Sequence, residues 1–198
     1  MKYIKMLGLA SVAAAALMAF IGAGTASATE LYSTSGTLGK GTTIHADAES
    51  TLTLQAGFST INCTESTVHG EITNAGSATT TVSGPITKKT GLTFGGCDST
   101  VHVLKEGSLE IHHIAGTTNG TLTSSGAEVT VIKSGVHCIY ETSNTHIGTL
   151  TGSTTGHATL HIEANLKRVP TSFLCADNAA WEGEYTVTQP SPLWVHAS

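Results

Sequence analysis

The sequence lacks the marks of a helical protein. Beyond residue 28 no segment of usable length repeats apolar residues at three-four spacing. Glycine, with 22 residues, breaks the chain every several positions, and each would cost a helix interior about 1 kcal/mol. Charge is also scarce. Charged residues make up 12% of the chain and are dispersed, so no basic face exists for a nucleic-acid partner. Nor is this a disordered acidic chain, which would carry many charges and few β-branched residues. Aromatic residues are only 5%, so a folded core would be lean.

Catalytic signatures are missing as well. There is no G-x-S-x-G elbow, no H-E-x-x-H and no paired C-x-x-C. The chain has ten histidines, yet His112 and His113 point to opposite faces of a strand. His157 and His161 share a face but lie roughly 13 Å apart along it. Solvent-facing histidines on polar strand faces are the reading these spacings favour, with no metal and no cofactor expected. Glu65 with Glu71, and Glu182 with Glu184, are the carboxylate pairs that a hydrolase reading would have to use. Asp98 and Asp177 read as turn residues.

What is present begins with an export leader. Lys2 and Lys5 precede an apolar run, Met6–Phe20, that is short for a membrane span. Ala26-Ser27-Ala28 fits a small-x-small cleavage site, placing the cut between Ala28 and Thr29. No later run reaches spanning length, so no membrane span is expected in the mature chain. The formal net charge is −5, and loss of the two leader lysines makes it two units more negative. The mature part has about 170 residues, room for one domain or two small ones.

Its pattern is alternation. Leu52, Leu54 and Ala56 fall on one strand face; Val68, Gly70 and Ile72 on another. Ala158, Leu160 and Ile162 form a third face, and Trp181, Tyr185 and Val187 a fourth. Short strands at regular spacing with glycine turns predict an all-β protein of antiparallel β-sandwich type. Thr100–Lys105 with Ser108–Ile114, and Gly120–Thr123 with Glu128–Ile132, read as hairpins turning at Glu106-Gly107 and Ser125-Gly126.

The chain also echoes itself. Thr51–Thr73 and Val129–Thr151 each read as strand, glycine turn, Cys-bearing strand, polar turn and strand. Cys63 precedes His69-Gly70-Glu71-Ile72-Thr73; Cys138 precedes His146-Ile147-Gly148-Thr149-Leu150-Thr151. Thr93-Phe94 before Cys97-Asp98 matches Ser172-Phe173 before Cys175, with Asp177 just after. The predicted organisation is a leader (1–28), a Gly/Ser/Thr-rich lead-in (29–41) mobile at its start, and two β units (42–115 and 116–198) that pack separately or as one domain. Four cysteines in an exported chain imply a disulfide framework with three formal pairings. Duplication favours Cys63–Cys97 and Cys138–Cys175. The competing pairing, Cys63–Cys138 with Cys97–Cys175, would staple the halves together.

The blocks from Gly120-Thr121-Leu122-Thr123 to Val131 and from Phe173-Leu174-Cys175 to Val187, with the terminal Pro192-Leu193-Trp194-Val195, resemble a group of secreted proteins of soil actinobacteria. That likeness covers nearly the whole mature chain and brings no activity with it. The Cys-strand repeats are also similar to the PraB group, protein activators of alkane oxidation. This resemblance implies a secreted, surface-associated protein of biofilm type.

The functional expectation is therefore a secreted, non-catalytic surface, structural or adhesin-like protein. Its partners would be cell-wall or matrix polysaccharide, or further copies of itself. The alternative is a carbohydrate-binding module. Trp181, Tyr185, Tyr140 and Trp194 are the available aromatics, and Trp194 is the expected exposed ligand platform. A secreted hydrolase is the third reading.

Overall fold

The computed structural model describes residues 28–57, 59–87 and 90–197. Apart from Ala28, the expected export leader lies outside them. The described residues contain eighteen strands. The first nine are β1 (Glu30–Ser33), β2 (Gly36–Thr37), β3 (Thr43–Ala48), β4 (Leu52–Ala56), β5 (Ser59–Cys63), β6 (Glu65–Glu71), β7 (Asn74–Ser77), β8 (Thr80–Pro85) and β9 (Leu92–Gly95). The rest are β10 (Thr100–Lys105), β11 (Ser108–His113), β12 (Gly120–Ser125), β13 (Glu128–Lys133), β14 (Val136–Glu141), β15 (Thr145–Thr151), β16 (Ala158–Val169), β17 (Asn178–Gln189) and β18 (Trp194–His196). All pairings are antiparallel, so the chain is the all-β protein its alternation predicts.

Fifteen strands form one curled half-barrel sheet, whose opposite walls are the two layers expected of a sandwich. Its spine is the long hairpin of β16 and β17. On β16, Ala158, Leu160, Ile162, Ala164 and Leu166 are buried, while His161, Glu163, Asn165 and Lys167 are exposed. Period-two alternation over so many residues leaves one register in which the apolar face is covered. The sheet curls until β6 meets β8 through a bridge between Gly70 and Ile86 and a bond from Thr73 N–H to the Ser83 carbonyl. Tyr185, 1% exposed, crosses the interior and its hydroxyl lies 2.9 Å from that of Ser66.

One set of pairings occurs twice. β3 pairs with β6 and β4 with β5; in the same way β12 pairs with β15 and β13 with β14. The connections between these sets are reciprocal. β17, late in the chain, pairs with both β3 and β4. β11 and β10, from the first half, pair with β12 and β13. Each unit therefore receives its closing strand from the other, and sheet pairing runs without a break across residues 115 and 116.

The disulfides are Cys63–Cys97 and Cys138–Cys175, the pairing that duplication favours. Both close loops within one unit, with separations of 34 and 37 residues. By loop entropy each stabilises by about 3–4 kcal/mol. The cysteines are offset by one strand repeat: Cys63 faces Leu52, while in the second copy Tyr140 faces Val129 and Cys138 faces Val131.

Two local expectations are corrected. β10 and β11 do not pair with each other, and neither do β12 and β13. The turns at Gly107 and Gly126 are corners, not hairpins, and carry the chain from one part of the sheet to another. Both glycines have positive φ, +72° and +74°, and the corners pack together. A Cβ on Gly107 would lie 2.4 Å from the Ala127 nitrogen, so close approach demands glycine there.

The lead-in is also not a loose start. β1 pairs with β18 and β2 in a separate three-stranded sheet. Leu31 and Val195 are fully buried and Leu193 is 1% exposed. A fully buried side chain of this kind contributes about 1.5–3 kcal/mol, enough to hold a short strand. Thr29 is buried too; its N–H bonds the Ser77 carbonyl and its hydroxyl accepts from the His113 N–H.

Candidate functional site

The residues singled out for chemistry are spread over the outer faces. Glu65 and Glu71 stand at opposite ends of β6, roughly 20 Å apart along it. Glu182 and Glu184 share a face of β17, and Glu184 accepts from or pairs with His161 Nδ1 at 2.6 Å. His161 also lies 4.0 Å from Glu163, all three being exposed. His157 Nδ1 contacts the Val187 carbonyl at 3.0 Å. Among the described residues no group of three or more His, Cys, Asp or Glu could hold a metal ion.

Asp98 and Asp177 are the turn residues they were read to be, each tying its cysteine loop to a neighbouring strand. Asp98 accepts from the Asn62 side chain at 3.0 Å, while its N–H bonds the Asn62 carbonyl. Desolvation raises its pKa, but the bonds from Asn62 and Ser99 and the nearby Lys133 together outweigh this and hold it below the usual range. Asp177 pairs with Arg168 at 2.5 Å.

One histidine pair escaped the sequence reading. His45 and His69 stand opposite each other on β3 and β6, with ring centroids 4.1 Å apart. Spacing along the chain gives no hint of this; only the register between the two strands does.

Trp194 sits where a platform can form. On β18 the flanking Leu193 and Val195 are buried, and alternation turns Trp194 outward at intermediate exposure. Its pairing partner is Tyr32, and the rings stack with centroids 6.1 Å apart and planes 24° apart. His196, exposed, lies 5.3 Å from Tyr32 on the other side. Glu30, opposite His196, accepts from the Tyr32 hydroxyl at 3.2 Å. The strip is Trp194, Tyr32 and His196 in sequence, with a carboxylate at its end. β18 is held beneath by bonds from Val195 N–H to Thr118 and from Ser153 N–H to Leu193. The sequence singled out Trp194 but not Tyr32, because the two become neighbours only when the ends of the chain pair.

The other aromatics behave differently. Trp181 packs against the core, edge-on to Phe94 at 5.5 Å, and Tyr185 is buried, as their shared strand face predicts. Tyr140, counted among the available platforms, is 1% exposed and belongs to the interior. Its hydroxyl has no hydrogen-bond partner among the described residues. Phe173 and Leu174 instead are exposed, at 91% and 55%, on the loop that Cys175 anchors.

Compared with protein-family models, curated proteins and solved structures, the chain matches none. Its two disulfides fit an oxidising compartment, and no helix among the described residues is long and apolar enough to cross a membrane.

Proposed function

We propose that this protein is secreted and works without catalysis, attaching to the cell surface or the extracellular matrix through the Trp194–Tyr32–His196 strip. The strip carries the reading. Stacked, partly exposed aromatic rings offer flat apolar faces to sugar rings, and the adjacent Glu30 and His196 offer hydrogen bonds to hydroxyls. Two disulfides and reciprocal strand pairing support such a role, since they resist unfolding in an unbuffered environment. In its narrower form the proposal is a carbohydrate-binding module for cell-wall or matrix polysaccharide. The test is sedimentation with insoluble cell-wall polysaccharide. Wild-type protein should co-sediment, and Trp194→Ala and Tyr32→Ala should each reduce the bound fraction severalfold. Equal binding by all three would reject the strip.

Self-association is the second reading, favoured by one sheet edge. β9 pairs on one side only and carries no lysine to block strand addition, whereas the outer carbonyls of β5 already accept from Lys133 Nζ and the Asp98 N–H, and Ser77 of β7 accepts from the Thr29 N–H. Light scattering across a concentration series separates the readings: a concentration-independent monomer that still binds polysaccharide leaves only the first.

A further inference from the structure

We propose a metal site on the outer face of the sheet: His45 and His69 together chelate one divalent transition-metal ion, with water in the remaining positions. It is independent of the attachment proposal.

The strand register builds the site. His45 on β3 faces His69 on β6, and each of these strands is paired on both sides, so the backbone beneath the rings is held in place. The His69 N–H donates to the Gly91 carbonyl and its own carbonyl accepts from the Thr87 N–H, both away from β3. The His45 carbonyl turns the other way, toward β17, where it accepts from the Thr188 hydroxyl at 3.5 Å. The two histidines therefore form a non-hydrogen-bonded pair, the kind whose Cα atoms approach to about 4.5 Å and whose side chains meet. Their rings do meet, with centroids 4.1 Å apart and planes 46° apart.

That geometry is close to what a metal needs. Zinc and similar ions hold an imidazole nitrogen at about 2.0–2.1 Å, so two rings on one ion at about 90–109° have centroids about 4.5–5.2 Å apart. The rings must part by no more than about 1 Å, a movement within the broad torsional well of a histidine ring. Among the described residues no hydrogen bond occupies either ring, in contrast to His113, His157 and His161, which bond a carbonyl or a carboxylate. Asp47 and Glu71, both exposed, share the face and stand one to each side of the pair. Their charges favour a dication there. No third His, Cys, Asp or Glu among the described residues completes the group, so at least two positions stay open to water. Imidazole selects Cu²⁺, Ni²⁺ and Zn²⁺ over Ca²⁺ and Mg²⁺, which take oxygen ligands, and Cu²⁺ binds tightest of these. An open, two-ligand site suits capture and release of a metal ion at the surface.

The experiment titrates the intact, disulfide-bonded chain with Zn²⁺ or Cu²⁺ alone by calorimetry, and follows the histidine ring signals by NMR under Zn²⁺. One tightest site per chain, of micromolar affinity, is expected, with the His45 and His69 signals shifting first. His45→Gln and His69→Gln should each weaken that site about tenfold or more, and the double variant should lose little beyond either single one, because one ligand cannot chelate. His161→Gln, at the neighbouring His161–Glu184 pair, should leave the site unchanged. The wild-type ring signals decide the question even where a substitution disturbs folding. No saturable binding, undiminished binding by either single variant, a first shift at any other histidine, or Ca²⁺ binding as tightly as Zn²⁺ would overturn the proposal.

Discussion

Gly148 lies directly against the backbone of His161: a Cβ at position 148 would come 1.9 Å from the His161 carbonyl oxygen. Its φ of +148° is also one that side-chain-bearing residues rarely adopt. The contact sits where β15 meets both β12 and β16, beside the register shift between Leu122 and Thr123.

Gly148→Ala should therefore destabilise by about 2–4 kcal/mol, combining backbone strain with a displaced spine strand. Gly135 supplies the contrast. Its φ is +79°, but nothing lies within 4 Å of an added Cβ, so Gly135→Ala should cost only about 1 kcal/mol. Urea unfolding of both variants measures the difference. Equal losses would mean that close packing at Gly148 contributes nothing.

The Cys138–Cys175 bridge fixes the loop bearing Phe173 and Leu174. Replacing both cysteines with serine should lower stability by about 3–4 kcal/mol, and removal of Cys63–Cys97 should cost a similar amount. Thermal unfolding with and without reductant checks this. An unchanged melting temperature on full reduction would contradict it.

Stability should fall in alkali. Burial raises the Tyr185 phenol far above its ordinary value, and the hydrogen bond with Ser66 only partly offsets this. The unfolded chain loses that proton near pH 10 and the folded chain keeps it, so the unfolded state binds fewer protons above this point. The contribution is intact below about pH 10 and declines above it by about 1.4 kcal/mol per pH unit. Tyr140 acts in the same direction, as does Lys105, whose pKa is raised chiefly by its bond to Glu128. Urea titrations from about pH 9 to about pH 11 should show the decline, and Tyr185→Phe should flatten it. Parallel curves for the two proteins would remove Tyr185 from the account.

Reciprocal closing strands make the halves interdependent. Residues 116–197 alone retain β12–β18 and one disulfide but lose partners of β12, β13, β17 and β18. The fragment should not form a folded monomer. Light scattering should find dimers, in which each β17 closes the other copy, or aggregates. A cooperatively unfolding monomer would show that the exchange is dispensable.

Much of this fold was legible because period-two alternation is local. The buried face of β16 and the core role of Trp181, Tyr185 and Val187 follow from neighbouring residues alone. The disulfides were legible through the echo between Thr51–Thr73 and Val129–Thr151. What failed was whatever depends on distant pairing. A glycine between two alternating runs looks the same whether the chain doubles back or turns a corner, so Gly107 and Gly126 were read as hairpin turns. Leu31 sits in a Gly/Ser/Thr-rich segment, and its burial comes with the pairing of β1 to β18 at the opposite end, where it faces Val195. The Tyr32–Trp194 and His45–His69 pairs are invisible for the same reason. Tyr140 was misplaced because an aromatic residue on a short alternating strand gives no sign of which face turns inward.

The order in which the strands emerge has a consequence for biogenesis. β3 and β4, made early, wait for β17, nearly the last strand to leave the ribosome. A chain wired in this way cannot complete its sheet until almost its full length exists, so the export proposed above would meet it still loose and threadable.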